Sequence, residues 1–349
     1  MIDFFAETIR EAAARQRPLR LRGGGTKDFY GNALRGEILD TRDYAGIVMY
    51  EPTELVVTAR CGTSLSSLES ELEKNNQMLA FEPPHFGAGA TVGGCVAAGL
   101  SGPRRAAAGA LRDFVLGVRL VDGRGEALSF GGQVMKNVAG YDVSRLVAGS
   151  LGTLGLIAEV SFKLAPRPQA EMTLRLEAPQ ERALQLMNRW AGQPLPVTAT
   201  AWHDGELTVR LSGAEAGVRA ARARIGGSPL AEGEGFWLPV REQTDDFFAG
   251  PEPLWRLSLP STSPPVELYG RQLVEWNGAL RWLKSSDNAK TIRDAAQRLK
   301  GHATLFRAAD KTPGCFSPLD PVLERVHRKL KSAFDPAGIF NPGRMYPEL

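Results

Sequence analysis

The sequence predicts a two-domain α+β protein, on the basis of three observations. The chain has 349 residues, which suits two domains of roughly 150 residues each better than one large core. Predicted helices and strands are mixed along the whole chain. The stiff segment APRP, residues 165–168, separates a glycine-rich first part from a second part with a β-α-β-β-α order.

The first part begins with an amphipathic helix over residues 2–15, followed by a strand at residues 19–21. A second helix is predicted over residues 64–75, with Ser64 as its N-cap, and a short third helix over residues 142–147. Asp122–Gly123 is typical of a hairpin turn. The remaining strands of this part are predicted at residues 36–40, 56–59, 115–121, 127–130 and 154–164.

The second part alternates strands and helices around a hairpin turn at Asp204–Gly205. Its strands are predicted at residues 172–177, 198–202, 206–211, 255–259 and 271–283. Its helices are predicted at residues 180–190, 214–225 and 288–300, and Asp320–Pro321 begins a last helix over residues 320–334. Trp255, Trp276 and Trp282 either mark an interface or fill the core of this part.

The composition excludes several classes of protein. The formal net charge is only +3, and acidic and basic residues are interleaved, so we do not expect a nucleic-acid binder. The three cysteines have no CxxC spacing and are too few for an iron–sulfur cluster, which needs about four thiolates. No apolar run approaches the roughly 20 residues that span a bilayer. We therefore expect a cytoplasmic protein without direct membrane insertion.

Two glycine-rich loops are the informative feature of the first part. RGGGTK, residues 22–27, offers consecutive backbone N–H groups, a hydroxyl and two cations, Arg22 and Lys27. ATVGG, residues 90–94, offers a second close approach of backbone. Such N–H nests bind pyrophosphate, because glycine lets the backbone come near the anion. Neither loop is a GxxxxGK[ST] phosphate loop or a GxGxxG dinucleotide motif.

Four segments together are more specific than either loop: RGGGTK, FEPPHFGAGATVGG, MKNVAGYDVSRLVAGSLGTLGLIAEVSFKL and FDPAGIFNPGRM. They resemble the PCMH-type FAD-binding domain shared by vanillyl-alcohol oxidase, D-lactate dehydrogenase and glycolate oxidase. The resemblance implies a two-part FAD-binding domain over residues 1–168 and a small α+β cap domain over residues 169–310. It also implies a C-terminal segment, residues 311–349, that returns to the FAD-binding domain.

Three further segments, GLSGPRRAAAGALRDFVLG, FGGQVMKNVAGYD and VEWNGALRW, are similar to the family of smaller FAD-binding subunits of glycolate oxidase. This resemblance implies oxidation of glycolate or another D-2-hydroxy acid to the 2-oxo acid. It implies a complex with a larger FAD-binding subunit and an iron–sulfur subunit, to which the electrons pass. Such a complex is cytoplasmic or peripheral on the inner membrane through the partner subunits.

The resemblance also assigns residues to FAD. It places Gly23, Gly24, Gly25 and Thr26, flanked by Arg22 and Lys27, at the pyrophosphate, with Thr91, Gly93 and Gly94 on its other side. It places the ribityl chain and adenosine along Gly140, Tyr141, Asp142, Gly149, Gly152, Thr153 and Gly155, with the backbone of Ile157 near adenine. It places Asn341 near the flavin ring, and Pro83, Pro84 and His85 near the pyrimidine side.

The chain departs from its larger relatives in ways that bear on the cofactor. Cys95 stands where they have an asparagine, and no histidine or cysteine is evident that would tether the flavin. We therefore expect dissociable FAD. Cys61 and Cys95 are expected to be small, buried and inert.

Catalytic residues are not identified by the sequence. The candidates are His85, because it adjoins a phosphate loop, and an arginine of the cap domain. His203 and His327 are expected on solvent faces, and no HxH or HExxH pair indicates a metal site. Three hypotheses stay open: a catalytic subunit, a non-catalytic electron-relay or scaffold flavin subunit, and a stand-alone FAD-dependent alcohol or sugar oxidase.

Overall fold

The computed structural model describes residues 1–132, 142–231 and 233–349. These residues divide into two compact units. The first unit comprises Met1–Leu100, Ala110–Pro166 and Pro318–Leu349, and the second comprises Ser101–Gly109 and Arg167–Ser317. The domain bounds expected at residues 168 and 310 stay predictions. In the described part of the chain, no helix has both the length and the apolar character needed to cross a membrane.

The secondary structure is mixed along the whole chain. The helices are α1 Ile2–Ala14, α2 Leu65–Glu73, α3 Val92–Ala98, α4 Arg105–Ala108, α5 Leu111–Phe114, α6 Val143–Leu146, α7 Gln180–Ala191, α8 Glu215–Ile225, α9 Gly233–Glu242, α10 Ala289–Arg298 and α11 Pro321–Phe334. The strands are β1 Leu19–Arg22, β2 Glu37–Asp40, β3 Ile47–Glu51, β4 Val56–Arg60, β5 Gln77–Met78, β6 Val115–Val121, β7 Ala127–Gly131, β8 Leu156–Lys163, β9 Ala165–Pro166, β10 Ala170–Glu177, β11 Val197–His203, β12 Glu206–Gly213, β13 Ser228–Leu230, β14 Leu254–Ser258, β15 Arg271–Glu275, β16 Leu280–Lys284 and β17 His302–Arg307.

The first unit is built on an antiparallel five-stranded sheet with the order β3-β4-β8-β6-β7. A separate parallel pair, β1 and β2, leads into the first glycine loop. Helix α1 buries Phe5, Ile9 and Ala12, whose i, i+4, i+7 spacing places them on one face. That face packs with Leu19 and Phe340, so α1 supports the strand that carries the glycine loop.

The second unit is an eight-stranded antiparallel sheet with the order β13-β10-β12-β11-β15-β16-β14-β17. Helices α7 and α8 bury apolar side chains against one face of it, including Met187 and Val218. Helix α10 buries Ile292 against the strands at the other end of the sheet. The opposite face carries Arg210, Arg256 and other polar side chains, so the two faces of this sheet differ sharply in chemistry.

Most of the predicted helices and strands are confirmed, and the differences have physical causes. The strand predicted over residues 271–283 is two strands, because a 3₁₀ turn at Trp276–Gly278 separates β15 from β16. Helix α9 was not predicted, since Gly233, Gly235 and Pro239 all disfavour helix. Trp255, Trp276 and Trp282 are at most 5% exposed, so they fill the core of the second unit.

One buried ion pair ties helix α11 to the loops of the first unit. The Lys331 ammonium donates to the Asp335 carboxylate, to the Thr153 carbonyl and to the Phe340 carbonyl, each at 2.8 Å. Asp335 also accepts from the backbone N–H of Phe340 at 2.8 Å. Burial lowers the pKa of Lys331, and the neighbouring Asp335 opposes that shift. All three ammonium donors are therefore satisfied inside the protein.

Replacing Lys331 with methionine should strongly destabilise the first unit. The variant leaves the Asp335 carboxylate buried without its cation, which typically costs about 3–5 kcal/mol of unfolding free energy. Urea unfolding followed by circular dichroism measures this loss. Lys329→Met is the matched control, because Lys329 is exposed on the same helix. A loss below about 1 kcal/mol in Lys331→Met, the range of exposed ion pairs, would contradict the assigned role.

Candidate cofactor site

The two glycine loops of the first unit come together backbone to backbone. A Cβ atom on Gly24 would lie 1.5 Å from the carbonyl oxygen of Gly89. A Cβ atom on Gly23 would lie 2.2 Å from Oγ1 of Thr91, and Gly25 has φ +72°, which favours glycine. The RGGGTK loop therefore needs its glycines for space as well as for conformation.

Residues 23–26 present a run of unused backbone donors. Within the described residues, the N–H groups of Gly23, Gly24, Gly25 and Thr26 donate to no protein acceptor. Polar backbone groups away from water are normally paired, so successive unpaired N–H groups point to a ligand or to ordered solvent. Such a run is the arrangement that binds an anion.

The second glycine loop allows the backbone to approach closely, but it supplies few free N–H donors. Thr91 caps helix α3, and its hydroxyl accepts from the N–H of Gly94 at 3.4 Å. The N–H of Gly93 donates to the Cys61 carbonyl at 2.8 Å. A Cβ atom on Gly93 would lie 2.6 Å from Cβ of Cys61, so glycine at this position allows helix α3 to pack closely against Cys61.

Cationic side chains border the first loop. The Arg22 guanidinium lies against Gly25 and pairs with Asp28 at 3.1 Å. Arg20 also pairs with Asp28. The Lys27 ammonium donates to the His85 carbonyl at 3.2 Å and lies 5.5 Å from the centre of the Phe86 ring. The loop thus combines unused N–H donors with positive charge, which suits a multiply charged anion.

Most of the predicted cofactor residues line one open cleft in this unit. The cleft has two adjoining parts that share Leu21, Arg22 and Asn341, and they hold about 400 and 550 Å³ of space, counting open solvent. The predicted residues that line it are Arg22, Gly23, Gly24, Gly25, Thr26, Lys27, Thr91, Gly93, Gly94, Gly152, Gly155, Ile157 and Asn341.

The other predicted residues lie elsewhere. Those that do not line the cleft are Pro84, Asp142, Gly149 and Thr153. Asp142 caps helix α6, and Gly149 donates its N–H to the Val96 carbonyl at 2.9 Å, so both shape loops behind the cleft. Gly140 and Tyr141 lie outside the described residues.

Asn341 connects three separate stretches of chain at the cleft. Its side-chain oxygen accepts from the N–H of Leu21 at 2.9 Å, and its amide nitrogen donates to the Leu151 carbonyl at 2.7 Å. Its backbone has φ +41°, an unusual conformation that asparagine tolerates better than most residues. Asn341 therefore holds β1, the loop at Leu151 and the C-terminal segment in one arrangement.

Several residues of the cleft were missed by the sequence analysis. Cys61, Thr41 and Ala97 line it, although none belongs to a loop expected to touch a cofactor, and Leu151 lines it from within the predicted run of residues 149–155. Arg344 also lines it, is 5% exposed, and donates to the Asp28 carbonyl at 2.9 Å. Arg344 could have been identified from the sequence, because it is the penultimate residue of the FDPAGIFNPGRM segment, which carries part of the family resemblance.

The thiols near the cleft are poor nucleophiles. Cys61 and Cys95 are each 1% exposed, which confirms their expected burial. Burial raises the pKa of each thiol to about 12. The thiolate is the reactive form of cysteine, so neither side chain is set up for covalent chemistry near neutral pH.

Among the described residues, no histidine lines the cleft. Nε2 of His85 lies 3.0 Å from a Glu69 oxygen, on the side of helix α2. His203 and His327 were expected to face solvent, but both are half-buried: His203 pairs with the Gln272 carbonyl at 2.9 Å, and His327 packs on Tyr346. The catalytic role of His85 stays a prediction. No group of three or more acidic, histidine or cysteine side chains among the described residues is arranged so that it could hold a metal ion.

Comparison with known proteins places this geometry in a family. Residues 2–131 match the FAD_binding_4 family, described as an FAD binding domain. The chain is 50% identical over 343 residues to the glycolate oxidase subunit GlcE of Escherichia coli (strain K12), covering 98% of this chain and 97% of that protein.

Other relatives match a shorter region. A D-lactate dehydrogenase of Archaeoglobus fulgidus is 32% identical over 187 residues, covering 52% of this chain and 41% of that protein. The glycolate oxidase subunit GlcD of Bacillus subtilis is 31% identical over 159 residues, covering 45% of this chain and 34% of that protein. This chain therefore spans less than half the length of these two relatives.

The fold is shared with a solved enzyme structure. A structure titled alkyldihydroxyacetonephosphate synthase aligns with 97% of this chain and 74% of its own, at a TM-score of 0.67 and 17% identity. At that identity the likeness concerns the fold alone. Together with the FAD_binding_4 match, it confirms the predicted fold class, a PCMH-type FAD-binding domain with an α+β cap.

Replacing Gly24 with alanine should strongly weaken FAD binding, because the added methyl group would push the Gly89 backbone away and open the nest. We expect the Kd for FAD to rise at least about a hundredfold, the loss of roughly 2.7 kcal/mol. Flavin fluorescence titration of the apo-protein measures this. Gly217→Ala is the control, because nothing lies within 4 Å of a Cβ there and FAD affinity should be unchanged. Wild-type affinity in folded Gly24→Ala would refute the close-approach argument.

Proposed function

Because this chain belongs to the family of the glycolate oxidase subunit GlcE, we propose that it is the small FAD-binding subunit of a heteromeric enzyme. The enzyme oxidises glycolate or a related D-2-hydroxy acid to the 2-oxo acid. The family match covers nearly the whole chain, so it supports this assignment for both units. The chain is accordingly an FAD-dependent oxidoreductase that acts on CH–OH groups.

The observation that carries the proposal is the unused N–H run at residues 23–26 in a glycine cradle that side chains would fill. That cradle fits the FAD pyrophosphate, with Arg22 and Lys27 supplying positive charge. Gly93 and Gly94 line the cleft and would contact the cofactor on the other side of its pyrophosphate. Bound FAD supplies the electron acceptor for the oxidation, and the chain's own residues bind it, orient it and exclude water around it.

The remaining cofactor contacts follow the cleft. Gly152, Gly155 and the backbone of Ile157 would hold the ribityl chain and adenosine, since all three line the cleft beyond the nest. Asn341 would lie near the flavin ring. Its amide is already held at both ends by Leu21 and Leu151, so its place there is fixed before the cofactor arrives.

The FAD is proposed to be bound without a covalent link. The thiols that come nearest, Cys61 and Cys95, are buried with pKa values raised to about 12. Neither supplies thiolate near neutral pH, and no histidine of the described residues lines the cleft. These observations support a dissociable cofactor.

Electrons are proposed to leave through partner subunits. None of the three cysteines forms a disulfide and all three are buried, and they are divided between the two units, with Cys315 in the second. An iron–sulfur cluster needs about four thiolates close together, which three cysteines in two different units do not provide. A larger FAD-binding subunit and an iron–sulfur subunit would complete the enzyme, which would lie in the cytoplasm or on the inner membrane through those partners.

A second candidate is an electron-relay or scaffold subunit whose flavin never meets the hydroxy acid. The observation that favours it is the place of His85, which lies beside Glu69 and outside the cleft lining. Oxidation of an alcohol needs a base for the hydroxyl proton, and histidine is the usual one. The two candidates share the cofactor and the partners, and differ in whether this chain turns over substrate.

The proposal is tested by purifying the chain through an affinity tag from its own host. We expect two further chains to co-purify, one holding flavin and one holding iron–sulfur, and the complex to reduce a dye with glycolate. Acid precipitation of the isolated chain should release its flavin to the supernatant. Negligible dye reduction by the isolated, FAD-loaded chain supports the relay role, whereas substantial turnover supports the catalytic role. A monomer that oxidises an alcohol with oxygen and binds no other chain would refute the proposal.

A further inference from the structure

The turn at Trp276–Gly278 in the second unit is held in an unusual backbone conformation. Trp276 has φ +53° and Asn277 has φ +57°, and consecutive non-glycine residues of this kind are rare. The Thr200 hydroxyl accepts from the N–H of Asn277 at 3.0 Å, and the Asn188 amide donates to the Asn277 carbonyl at 3.2 Å. Strain that the surroundings maintain in this way often marks a functional position.

The strained turn places an indole between cationic side chains. Trp276 is 5% exposed, and its Nε1 donates to the Gly102 carbonyl at 3.0 Å. The Arg105 guanidinium lies 4.4 Å from the ring centre, and the Arg256 guanidinium lies 5.3 Å from it. A planar ring at this distance orients a guanidinium while leaving its N–H edge available for a ligand.

Arg256 differs from the other arginines on this face of the sheet. Arg104 pairs with Glu171 at 3.1 Å, and Arg210 lies 3.9 Å from the same carboxylate. Arg256 is half-buried on β14, yet it has no hydrogen-bond acceptor and no acidic partner among the described residues. A half-buried guanidinium without a counter-ion is unfavourable unless an anion joins it.

Most of the charged side chains on this face already have partners. By strand register the face carries Arg175, Arg210, Arg256, Arg271 and Lys284 together with Glu171, Glu177, Glu206 and Glu275. Glu275 already accepts from Nε1 of Trp282 at 2.7 Å. Arg256 has no such partner among the described residues, so its positive charge attracts an anion to its side of the face.

A hydroxyl stands beside Arg256 on the same face. Thr304 on β17 is the direct antiparallel partner of Arg256, and directly paired residues have Cβ atoms about 4.5–5.5 Å apart. Trp282 is its partner on the other side. A guanidinium binds both oxygens of a carboxylate through two parallel N–H···O hydrogen bonds. Each oxygen keeps a lone pair, to which the Thr304 hydroxyl can donate.

We propose that Arg256, oriented by Trp276 and assisted by Thr304, binds the carboxylate of a small organic acid. The inference rests on the proposed function, and it goes further by giving this chain its own binding site for the 2-hydroxy acid. Arg256 is a binding residue in this account. The site recognises the negative charge of the ligand's carboxylate and makes no contact that depends on the neighbouring hydroxyl group. Other small carboxylates should therefore compete with the 2-hydroxy acid.

The experiment is isothermal titration of the FAD-loaded chain with glycolate, with ethylene glycol as the neutral analogue. Wild type should bind glycolate saturably and ethylene glycol not at all. Arg256→Met should weaken glycolate binding about ten- to a hundredfold, the value of one charged hydrogen-bonded contact. Arg256→Lys keeps the charge without the fork and should fall between the two.

Arg271→Met is the matched control. Arg271 is also a strand arginine of this sheet next to an aromatic ring, that of Phe247 at 5.6 Å, but it is exposed. The glycolate Kd of Arg271→Met should stay within about twofold of the wild-type value. This is well below a tenfold change in Kd, which corresponds to about 1.4 kcal/mol of binding free energy. Folding and FAD content of every variant are checked by circular dichroism and flavin absorbance.

The outcomes separate this inference from the function on which it rests. If the wild-type chain holds FAD but binds no glycolate, or if Arg256→Met binds it as tightly as wild type, the carboxylate site is wrong and the FAD-subunit assignment survives. If the chain binds no FAD under any condition, the proposed function itself fails. Loss of glycolate binding in Arg256→Met, with FAD retained and Arg271→Met unchanged, supports the site.

Discussion

The close approach of two backbone loops is the constraint on which the cofactor cleft depends. The loop at Gly24 meets the loop at Gly89 with no room for even one side-chain carbon. Beside this contact, the N–H groups of residues 23–26 have no protein acceptor among the described residues. These residues are half-buried, so a bound anion can accept from all four donors at once.

The rest of the first unit holds that contact in place through buried polar ties. Asn341 links the strand before the loop to the Leu151 carbonyl. Lys331 links helix α11 to the Thr153 and Phe340 carbonyls, beside the same loops. Since both side chains are buried and fully engaged, the C-terminal segment is part of the cleft although it lies far away in sequence. In the second unit a similar principle acts at Asn277, where neighbouring polar side chains maintain a strained turn.

Local patterns predicted much of this arrangement. The glycine runs indicated both loops, because few residues other than glycine allow the backbone to come close to another backbone or to an anion. Most of the cofactor residues predicted from these loops line the cleft. Contacts between residues distant in sequence could not be predicted from such patterns. Nothing local distinguishes the buried Lys331 from the exposed Lys329 on the same helix, and nothing local indicates the carbonyl groups to which Arg344 donates. Helix α9 was missed because the packing of Trp237 on Ala199 and Ala201 overrides its glycines and proline. His85 adjoined a phosphate loop in sequence, but its ring lies toward Glu69 instead.

The central claim is that the backbone nest binds the pyrophosphate of FAD, and comparison of flavins that differ in phosphate tests it most directly. The apo-protein is titrated with FAD, FMN and riboflavin, and Kd values are obtained from flavin fluorescence. Four backbone donors with two nearby cations should make FAD bind at least about a hundredfold more tightly than riboflavin, with FMN between them. If riboflavin binds as tightly as FAD, the isoalloxazine ring alone supplies the affinity, and the nest at residues 23–26 is not the cofactor's anchor.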